Sequence, residues 1–407
     1  MTVANLNLMR ILISTWSLQV GGGEVLAMNL AAELHRRGHE VFVFNQRAEL
    51  IDHDVVQRLL PASIRVLSMA DKPRSSFWFY KINALQQKLG LGGDFYVRRQ
   101  QAYLADCLVR YKIDLVSSHA TYSDHICSVV AKKFGIPLII TEHGDYSQYL
   151  LDGRRDFATV LRAAHKILTV SNYCRRHLLK AFSDLPPLQT VYNGVVINQQ
   201  LTAEGMRKVL NIPAQAFLFG MVARGVEKKG WKYAIQAFQQ LKNQVDDKRL
   251  RLVLVGGSPY LQQLREQYQH EYDIIFTGQV PNPDFYMAGF DVGLLPTYFQ
   301  AEALPLAVIE YMVSGKPTIA TQVGGVPELL KPATGATGQL IPLDPVTHTP
   351  DVDALTKAMR RYYDDELLYV SHTQNARVAS VNFTMSACAE QYESVFAEVV
   401  RTMDKHD

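Results

Sequence analysis

The chain has 407 residues, 48% hydrophobic and 20% charged. That length predicts about two to three domains with full apolar cores, and the composition excludes disorder, collagen-like order and coiled coil as the main organisation. Net charge is +3, but residues 1–200 hold 23 Lys and Arg against 16 Asp and Glu, and the rest hold 19 against 23. A basic half joined to a mildly acidic half suits the first half to meeting something anionic.

No run of about 18 uncharged apolar residues occurs, so no transmembrane helix is expected. The start, MTVANLNLMRILIST, lacks the charged head and apolar core of a secretory signal, which points to the cytoplasm. Cys107, Cys127, Cys174 and Cys388 are too scattered for a metal knuckle or redox pair and read as reduced, buried thiols.

In chain order, short apolar runs alternate with amphipathic helical stretches. Arg10–Ser14 reads as a buried strand, followed by Gly21-Gly22-Gly23 and a helix over Glu24–Arg37 with Leu26, Leu30 and Leu34 on one face and Gly38 closing it. Further strands are expected at Val41–Asn45, Leu115–Ser118, Leu138–Thr141, Ile167–Val170 and Thr190–Tyr192. The pattern restarts with a strand at Phe217–Val222 and a helix at Trp231–Leu241. Strands at Leu252–Val255, Ile274–Thr277, Val292–Leu295, Thr318–Ala320 and Gln339–Ile341 follow. Alternating strands and helices imply parallel sheets covered on both faces, in two α/β halves. Asn198–Asn211 reads as the linker, and Phe383–Met403 as a final helix.

One segment departs from this rhythm. Between Arg74 and Tyr111, the aromatics Phe77, Trp78, Phe79, Tyr80, Phe95, Tyr96, Tyr103 and Tyr111 interleave with Arg74, Lys81, Lys88, Arg98, Arg99 and Arg110. Such a pattern fits a membrane interface, and it also fits helices packed on the sheet with a basic edge in water.

Several turns could carry chemistry. Gly21-Gly22-Gly23 lies between a strand and a helix, where bare N–H groups suit an anion or a sugar. No G-x-G-x-x-G dinucleotide fingerprint occurs, which disfavours an oxidoreductase. His143, within Thr141-Glu142-His143-Gly144-Asp145, follows a strand, the place where open α/β sheets bind ligands. Arg224 and Lys229 follow the first strand of the second half and suit a diphosphate; Lys228 is the neighbouring alternative. Glu302 ends a loop, and Glu310 lies eight residues on, in a helix expected to begin near Pro305, about 12 Å further along the same face. Asp351-Val352-Asp353 reads as acids at a helix start rather than a metal motif, and no metal is expected.

These pieces, in this order, resemble the retaining glycosyltransferases of family 4. They are Gly21-Gly22-Gly23-Glu24, Thr141-Glu142-His143-Gly144, Val170-Ser171, Tyr192-Asn193-Gly194-Val195, Arg224 with Lys229-Gly230, Val255-Gly256-Gly257, Phe276-Thr277-Gly278 and Glu302 to Glu310. The resemblance implies the GT-B architecture: α/β, two Rossmann-like domains facing across a cleft, with the C-terminal helix crossing back to the N-terminal domain. It implies an acceptor-binding domain of residues 1–198 plus about 380–407 and a nucleotide-sugar-binding domain of residues 206–379.

The same resemblance assigns roles. Gly22 and Gly23 would bring backbone N–H groups to the donor phosphate and acceptor, and His143 would sit by the transferred sugar. Arg224 and Lys229 would hold the diphosphate, the family spacing favouring Lys229 over Lys228. Glu302 would bind the donor sugar and Glu310 the ribose. Ala303, Leu304 and Pro305 would form the turn whose amides approach sugar and phosphate, with Pro305 lacking one donor. Gly278 would meet the base. The implied activity is transfer of a hexose-type sugar from a UDP- or GDP-linked donor to a glycan or lipid-linked acceptor, with retention, in cell-surface polysaccharide or lipopolysaccharide biosynthesis. No cofactor or nucleic acid is implied, and the enzyme would be cytoplasmic or peripheral on the inner face of the membrane. The alternatives are a nucleotide-sugar 2-epimerase on the same architecture, or a non-catalytic nucleotide-sugar binder.

Overall fold

The computed structural model describes residues 8–69, 95–198 and 201–403, and also 78, 81, 82, 84–86 and 88–90. The chain divides into two compact units. One runs up to Gly194 and takes in the tail from Met385; the other is Val195–Thr384.

The first unit is built on seven parallel strands: β1 (Arg10–Thr15), β2 (Glu40–Asn45), β3 (Arg65–Ser68), β4 (Leu115–Ser118), β5 (Leu138–Glu142), β6 (Lys166–Thr169) and β7 (Leu188–Thr190). Their order is β3-β2-β1-β4-β5-β6-β7. The direction of winding reverses between β1 and β4. Strand side chains alternate between two cores. Ile11 and Ile13 pack with Leu26, Leu30 and Leu34 of helix Gly22–Arg36. Leu12, Val116 and Ile140 pack on the other face with Leu104, Ile126 and Val130, from helices Phe95–Arg110 and Thr121–Phe134.

The final helix, Met385–Met403, completes this unit. Its Tyr392 and Phe396 join the core of Ile11 and Leu30. Glu393 accepts from Arg37 Nε at 2.7 Å and lies 2.9 Å from His39 Nε2, while Lys166 Nζ donates to Glu398 at 2.6 Å. The tail thus returns to the unit where the chain began.

The second unit has six parallel strands: β8 (Phe217–Val222), β9 (Leu250–Val255), β10 (Ile274–Gly278), β11 (Val292–Leu295), β12 (Thr318–Thr321) and β13 (Gly338–Ile341). Their order, β10-β9-β8-β11-β12-β13, reverses between β8 and β11. Helix Trp231–Gln244 buries Trp231, Ile235, Phe238 and Leu241 against this sheet.

The structure differs from the sequence reading in three places. Strand β3 was not expected; it is a short edge strand, R-V-L-S, with an exposed first residue and no apolar run. The expected strand over Thr190–Tyr192 starts two residues earlier, after Pro187. Residues 198–211, read as linker, contain helix Ala203–Val209, whose Met206 is fully buried beside Ile212, Met287 and Phe290. A single anchoring Met in a seven-residue helix whose other large apolar residue, Val209, is exposed carries too little periodicity to be seen.

In the aromatic and basic segment, Arg74, Phe77, Phe79 and Tyr80 lie outside the described residues. The later part packs inward: Tyr103 lies against Phe44 and Tyr111 against Phe42. The earlier part exposes Trp78, Ile82, Leu85 and Leu89, together with Lys81 and Lys88. No helix among the described residues is long and apolar enough to cross a membrane. All four cysteines are free and buried.

Candidate active site

In the second unit, the candidate residues flank the reversal between β8 and β11. Loops beyond adjacent strand ends diverge there and leave a crevice. Arg224 lies two residues past β8. Its carbonyl accepts from Trp231 Nε1 at 3.1 Å, which fixes the loop. Its exposed guanidinium makes no ion pair with a described residue. A one-turn helix, Glu227–Lys229, then leads to Gly230. Gly230 has φ +89°, and a Cβ there would lie 1.8 Å from the Pro296 carbonyl oxygen, so only glycine lets this loop reach the end of β11.

That approach brings Lys229 to Glu302. Lys229 Nζ donates to Glu302 Oε2 at 2.5 Å, and Thr297 Oγ1 lies 3.3 Å from the same oxygen. Both side chains of the ion pair are about nine-tenths buried, at 11% and 10% exposure. Lys228 is exposed, and its carbonyl accepts from Tyr298 N and Thr297 Oγ1. Thr297 was missed in the sequence; it ties the two loops together. Gly324, at φ +53°, lets the chain after β12 pass under the Glu302 carbonyl, which accepts from Gly325 N at 2.8 Å.

Ala303 and Leu304 are buried, and Pro305 caps helix Leu306–Val313. Only residues from 306 onward are helical. The helix thus begins where the sequence reading expected it, near Pro305: Glu302 is placed by its loop and Glu310 by the helix, so the helical spacing of about 12 Å does not measure the distance between them. Helix Leu306–Val313 is held by Tyr311, whose hydroxyl accepts from Val222 N at 2.7 Å and whose ring fills the space over Gly293. Glu310 is partly exposed, and its carboxyl makes no hydrogen bond or ion pair with a described residue. Burial, aided by Asp284, pushes its carboxyl up to about 7. Gly278 ends β10 at a register shift, with φ +77° and open space where a side chain would stand. Asp351 caps helix Val352–Asp364 by accepting from Ala354 N.

The first unit offers a different set. Helix Gly22–Arg36 begins directly at the two glycines after β1, and Ser17 Oγ donates to Glu24 at 3.1 Å. A Cβ on Gly23 would meet the His143 ring at 3.7 Å. His143 follows β5 and is half-buried. Its Nε2 lies 3.1 Å from Nδ1 of His119, which follows β4 and is 4% exposed. His119 Nε2 in turn lies 3.0 Å from Ser117 Oγ. Burial lowers both imidazoles, His143 to about 4 and His119 well below its ordinary value with help from its neighbour, so both are neutral near pH 7.

Glu142, one residue before His143, accepts from Tyr146 N at 3.1 Å and Ser147 N at 2.8 Å, capping helix Asp145–Leu151. Tyr146 Oη donates to Asp124 at 2.7 Å. Burial raises both carboxyls to about 7. His119, Asp124 and Tyr146 were not picked out from the sequence. None stands in a local motif, and only the pairing of β1, β4 and β5 assembles them.

Chemically, the second unit gathers two cations and two carboxylates, which suits a diphosphate and the hydroxyls on either side of it. The first unit gathers neutral imidazoles and hydroxyls beside part-protonated carboxyls, which suit a polyol.

Residues 20–199 match the family described as Glycosyltransferase Family 4, and residues 203–379 match Glycosyl transferases group 1. The N-acetyl-alpha-D-glucosaminyl L-malate synthase of Bacillus anthracis is 23% identical over 94% of this chain and 95% of its own. The putative teichuronic acid biosynthesis glycosyltransferase TuaC of Bacillus subtilis (strain 168) is 30% identical over 53% of this chain and 55% of its own. Among solved structures, Anabaena Alr3699/HepE in complex with UDP-glucose superposes with TM-score 0.74 at 18% identity, covering 96% of this chain and all of that one. WaaG, a glycosyltransferase involved in lipopolysaccharide biosynthesis, superposes with TM-score 0.68 at 16% identity, covering 95% and 99%. These likenesses give the fold: two Rossmann-like domains of the GT-B kind.

Proposed function

The chain is a glycosyltransferase of the group 1 and family 4 type, and from that premise we propose that it moves a hexose-type sugar from a nucleoside diphosphate to a glycan or lipid-linked acceptor, retaining the anomeric configuration. The observation that carries this reading is the meeting of Lys229 and Glu302 beside Arg224 at the β8/β11 reversal. Arg224 and Lys229 hold the diphosphate and take up the charge that grows on it as the sugar leaves. The bond from the sugar's anomeric carbon to the diphosphate oxygen breaks, and its electron pair stays on that oxygen. The acceptor hydroxyl bonds to the same carbon on the face the diphosphate leaves, and its proton passes to the departing oxygen.

Glu302 holds hydroxyls of the transferred sugar, Glu310 takes the ribose, and the turn of Ala303, Leu304 and Pro305 lies against sugar and phosphate. Gly278 lies under the base. In the first unit, Gly22, Gly23 and His143 meet the sugar and acceptor. No metal enters this scheme, because Arg224, Lys229 and helix starts supply the positive charge. The product belongs to cell-surface polysaccharide or lipopolysaccharide assembly.

A thermal-shift panel with UDP, GDP, ADP and their sugars tests the donor. A ligand at 100 times its Kd stabilises the fold by about 2.7 kcal/mol, and no shift with any nucleotide would remove the reading. Incubation with donor alone should return it unchanged; an epimerised sugar would identify an epimerase instead. Product anomers read by NMR decide retention.

We infer further that the first unit docks on an anionic membrane surface. Trp78, Ile82, Leu85 and Leu89 recur at helical spacing and are 61%, 38%, 57% and 62% exposed. Lys81, Lys88, Arg98 and Arg99 are exposed near them in sequence. Surface-proximal cations contribute about 1 kcal/mol each on anionic lipid, and apolar side chains add to that. Co-sedimentation with liposomes should need anionic lipid, fall as salt rises, and weaken when the four cations are changed to Ser. Protein left in the supernatant at low salt would end the docking idea alone.

A further inference from the structure

In the first unit, the winding of the sheet reverses between β1 and β4, and open α/β sheets bind ligands beyond the strand ends at such a point. The glycines that start helix Gly22–Arg36 follow β1, and the residue that follows β4 is His119. His143 stands one strand further out, beyond β5. His119 therefore occupies the switch point itself, yet it is almost fully buried and cannot be the group that meets substrate over a wide area.

Its contacts all lead elsewhere. Nε2 lies 3.0 Å from Ser117 Oγ on its own strand, and Nδ1 lies 3.1 Å from His143 Nε2. One face stacks on Tyr392 of the final helix, with ring centroids 5.9 Å apart and planes at 23°. Tyr392 Oη is 3.3 Å from Thr141 Oγ1, two residues before His143. The backbone is fixed too, since His119 N donates to Ser14 O at 2.9 Å. His119 is thus clamped on three sides, and its fourth contact is the imidazole of His143. The other ring nitrogen of His143, Nδ1, makes no hydrogen bond with a described residue.

We propose that His119 is a positioning residue: it fixes the ring orientation and tautomer of His143, so that Nδ1 of His143 alone is left for the substrate. Two neutral imidazoles facing each other share one proton, so one nitrogen donates and the other accepts. The hydroxyl of Ser117 can take either part and completes the chain. Whichever register is adopted, the state of His143 Nε2 sets that of Nδ1. This proposal rests on the assignment of His143 to the sugar or acceptor.

Isosteric variants test it. The amide of His119→Asn stands near the place of Nδ1 and keeps the contact to His143, whereas that of His119→Gln stands near Nε2 and keeps the contact to Ser117. A residue that only fills space would tolerate Gln at least as well as Asn. The expected ranking in kcat is wild type, then Asn, then Gln, with the loss for Gln and for His119→Ala about 10- to 100-fold, the scale for removing an orienting partner of a functional imidazole. Donor KM should change little. His119→Ala combined with His143→Ala should be no slower than His143→Ala alone. Two-bond proton–nitrogen NMR of the His143 ring gives a readout independent of turnover: a single tautomer in wild type and His119→Asn, a mixture in His119→Gln. An unchanged tautomer in all variants, multiplying rate losses, or Gln equal to Asn overturns the proposal. If His143→Ala retains full turnover, the role given to His143 falls, and the tautomer shift still decides whether His119 positions it. Thermal melting of the Asn and Gln variants controls for folding if the Ala variant does not fold.

Discussion

At the sheet reversal of the first unit, the groups beyond the strands are neutral, buried and joined in a chain: Ser117, His119, His143. At the corresponding reversal of the second unit they are charged, with Lys229 and Glu302 paired and the side chains of Arg224, on a loop, and Glu310, on a helix, without an ion pair among the described residues. The same strand topology thus presents opposite electrostatics. Fixed neutral dipoles orient a ligand without binding it tightly. Charges on loops bind an anion tightly and can follow it as charge develops. The contrast suits a division of labour in which the second unit holds the nucleotide donor and the first positions the partner.

The largest effects should come from the charged corner. Arg224→Ala and Lys229→Ala should each lower turnover by roughly 10²–10³. The two differ in stability. Arg224 has no ion pair to lose, so its loss should leave Tm unchanged. Lys229→Ala strands the buried Glu302 carboxylate and should cost about 1–3 kcal/mol. Steady-state rates and melting curves check both. Near-normal turnover in the folded variants would remove the diphosphate assignment.

The two glutamates should separate by kinetic signature. Glu302→Gln should lower kcat with little change in affinity for free nucleoside diphosphate, because it touches the reacting sugar. Glu310→Gln should chiefly weaken nucleotide binding, since a ribose contact is alike in ground and transition states. Calorimetric titration with the nucleotide beside kcat measurements decides; the opposite ranking would mean that the roles are exchanged.

Glu310 also sets a smaller, pH-dependent effect. Its free carboxyl titrates near 7, raised by burial and by Asp284. The ionised form accepts hydrogens from ribose hydroxyls, and protonation removes part of that capacity. Nucleotide affinity should therefore fall severalfold from about pH 8 to about pH 6, and the fall should shrink in Glu310→Gln. The ligand's own terminal phosphate titrates near 6 in both proteins and so cancels. Equal falls in both would locate the pH dependence in the ligand.

The same contrast explains what the sequence disclosed. The second unit's site is local: Glu302, Pro305 and Glu310 lie in one stretch, and Arg224 and Lys229 in another, so their spacing is visible in the chain. There the helix start near Pro305 was legible too, since a proline marks the end of the loop that carries Glu302 and the start of the helix that carries Glu310. The first unit's site is assembled by strand pairing. Ser117 and His119 look like any strand end, and their relation to His143 exists only because β4 lies beside β5. Tyr392 comes from the far end of the chain, where its period marks a core position and nothing marks its ring as the support of a histidine. Buried apolar strands were legible by composition; the edge strand β3 and the helix Ala203–Val209 were not, since each buries too few side chains to leave a pattern.

The smallest effect, and the sharpest test of the neutral site, is Gly23→Ala. Gly23 lies in the first turn of helix Gly22–Arg36, not at positive φ, and a methyl group there would make ordinary contact with the His143 ring at 3.7 Å. The substitution therefore strains nothing. Replacing glycine by alanine in a helix stabilises by about 0.5–1 kcal/mol, so Tm should stay level or rise slightly. Activity should move the other way, because the methyl group occupies the space over the helix start through which a sugar or phosphate reaches the backbone N–H groups. A fall in kcat/KM with unchanged or higher Tm would identify Gly23 as kept bare for a ligand. Full activity in the variant would show that the glycine serves only the turn, and would leave the neutral site to His143 and its support.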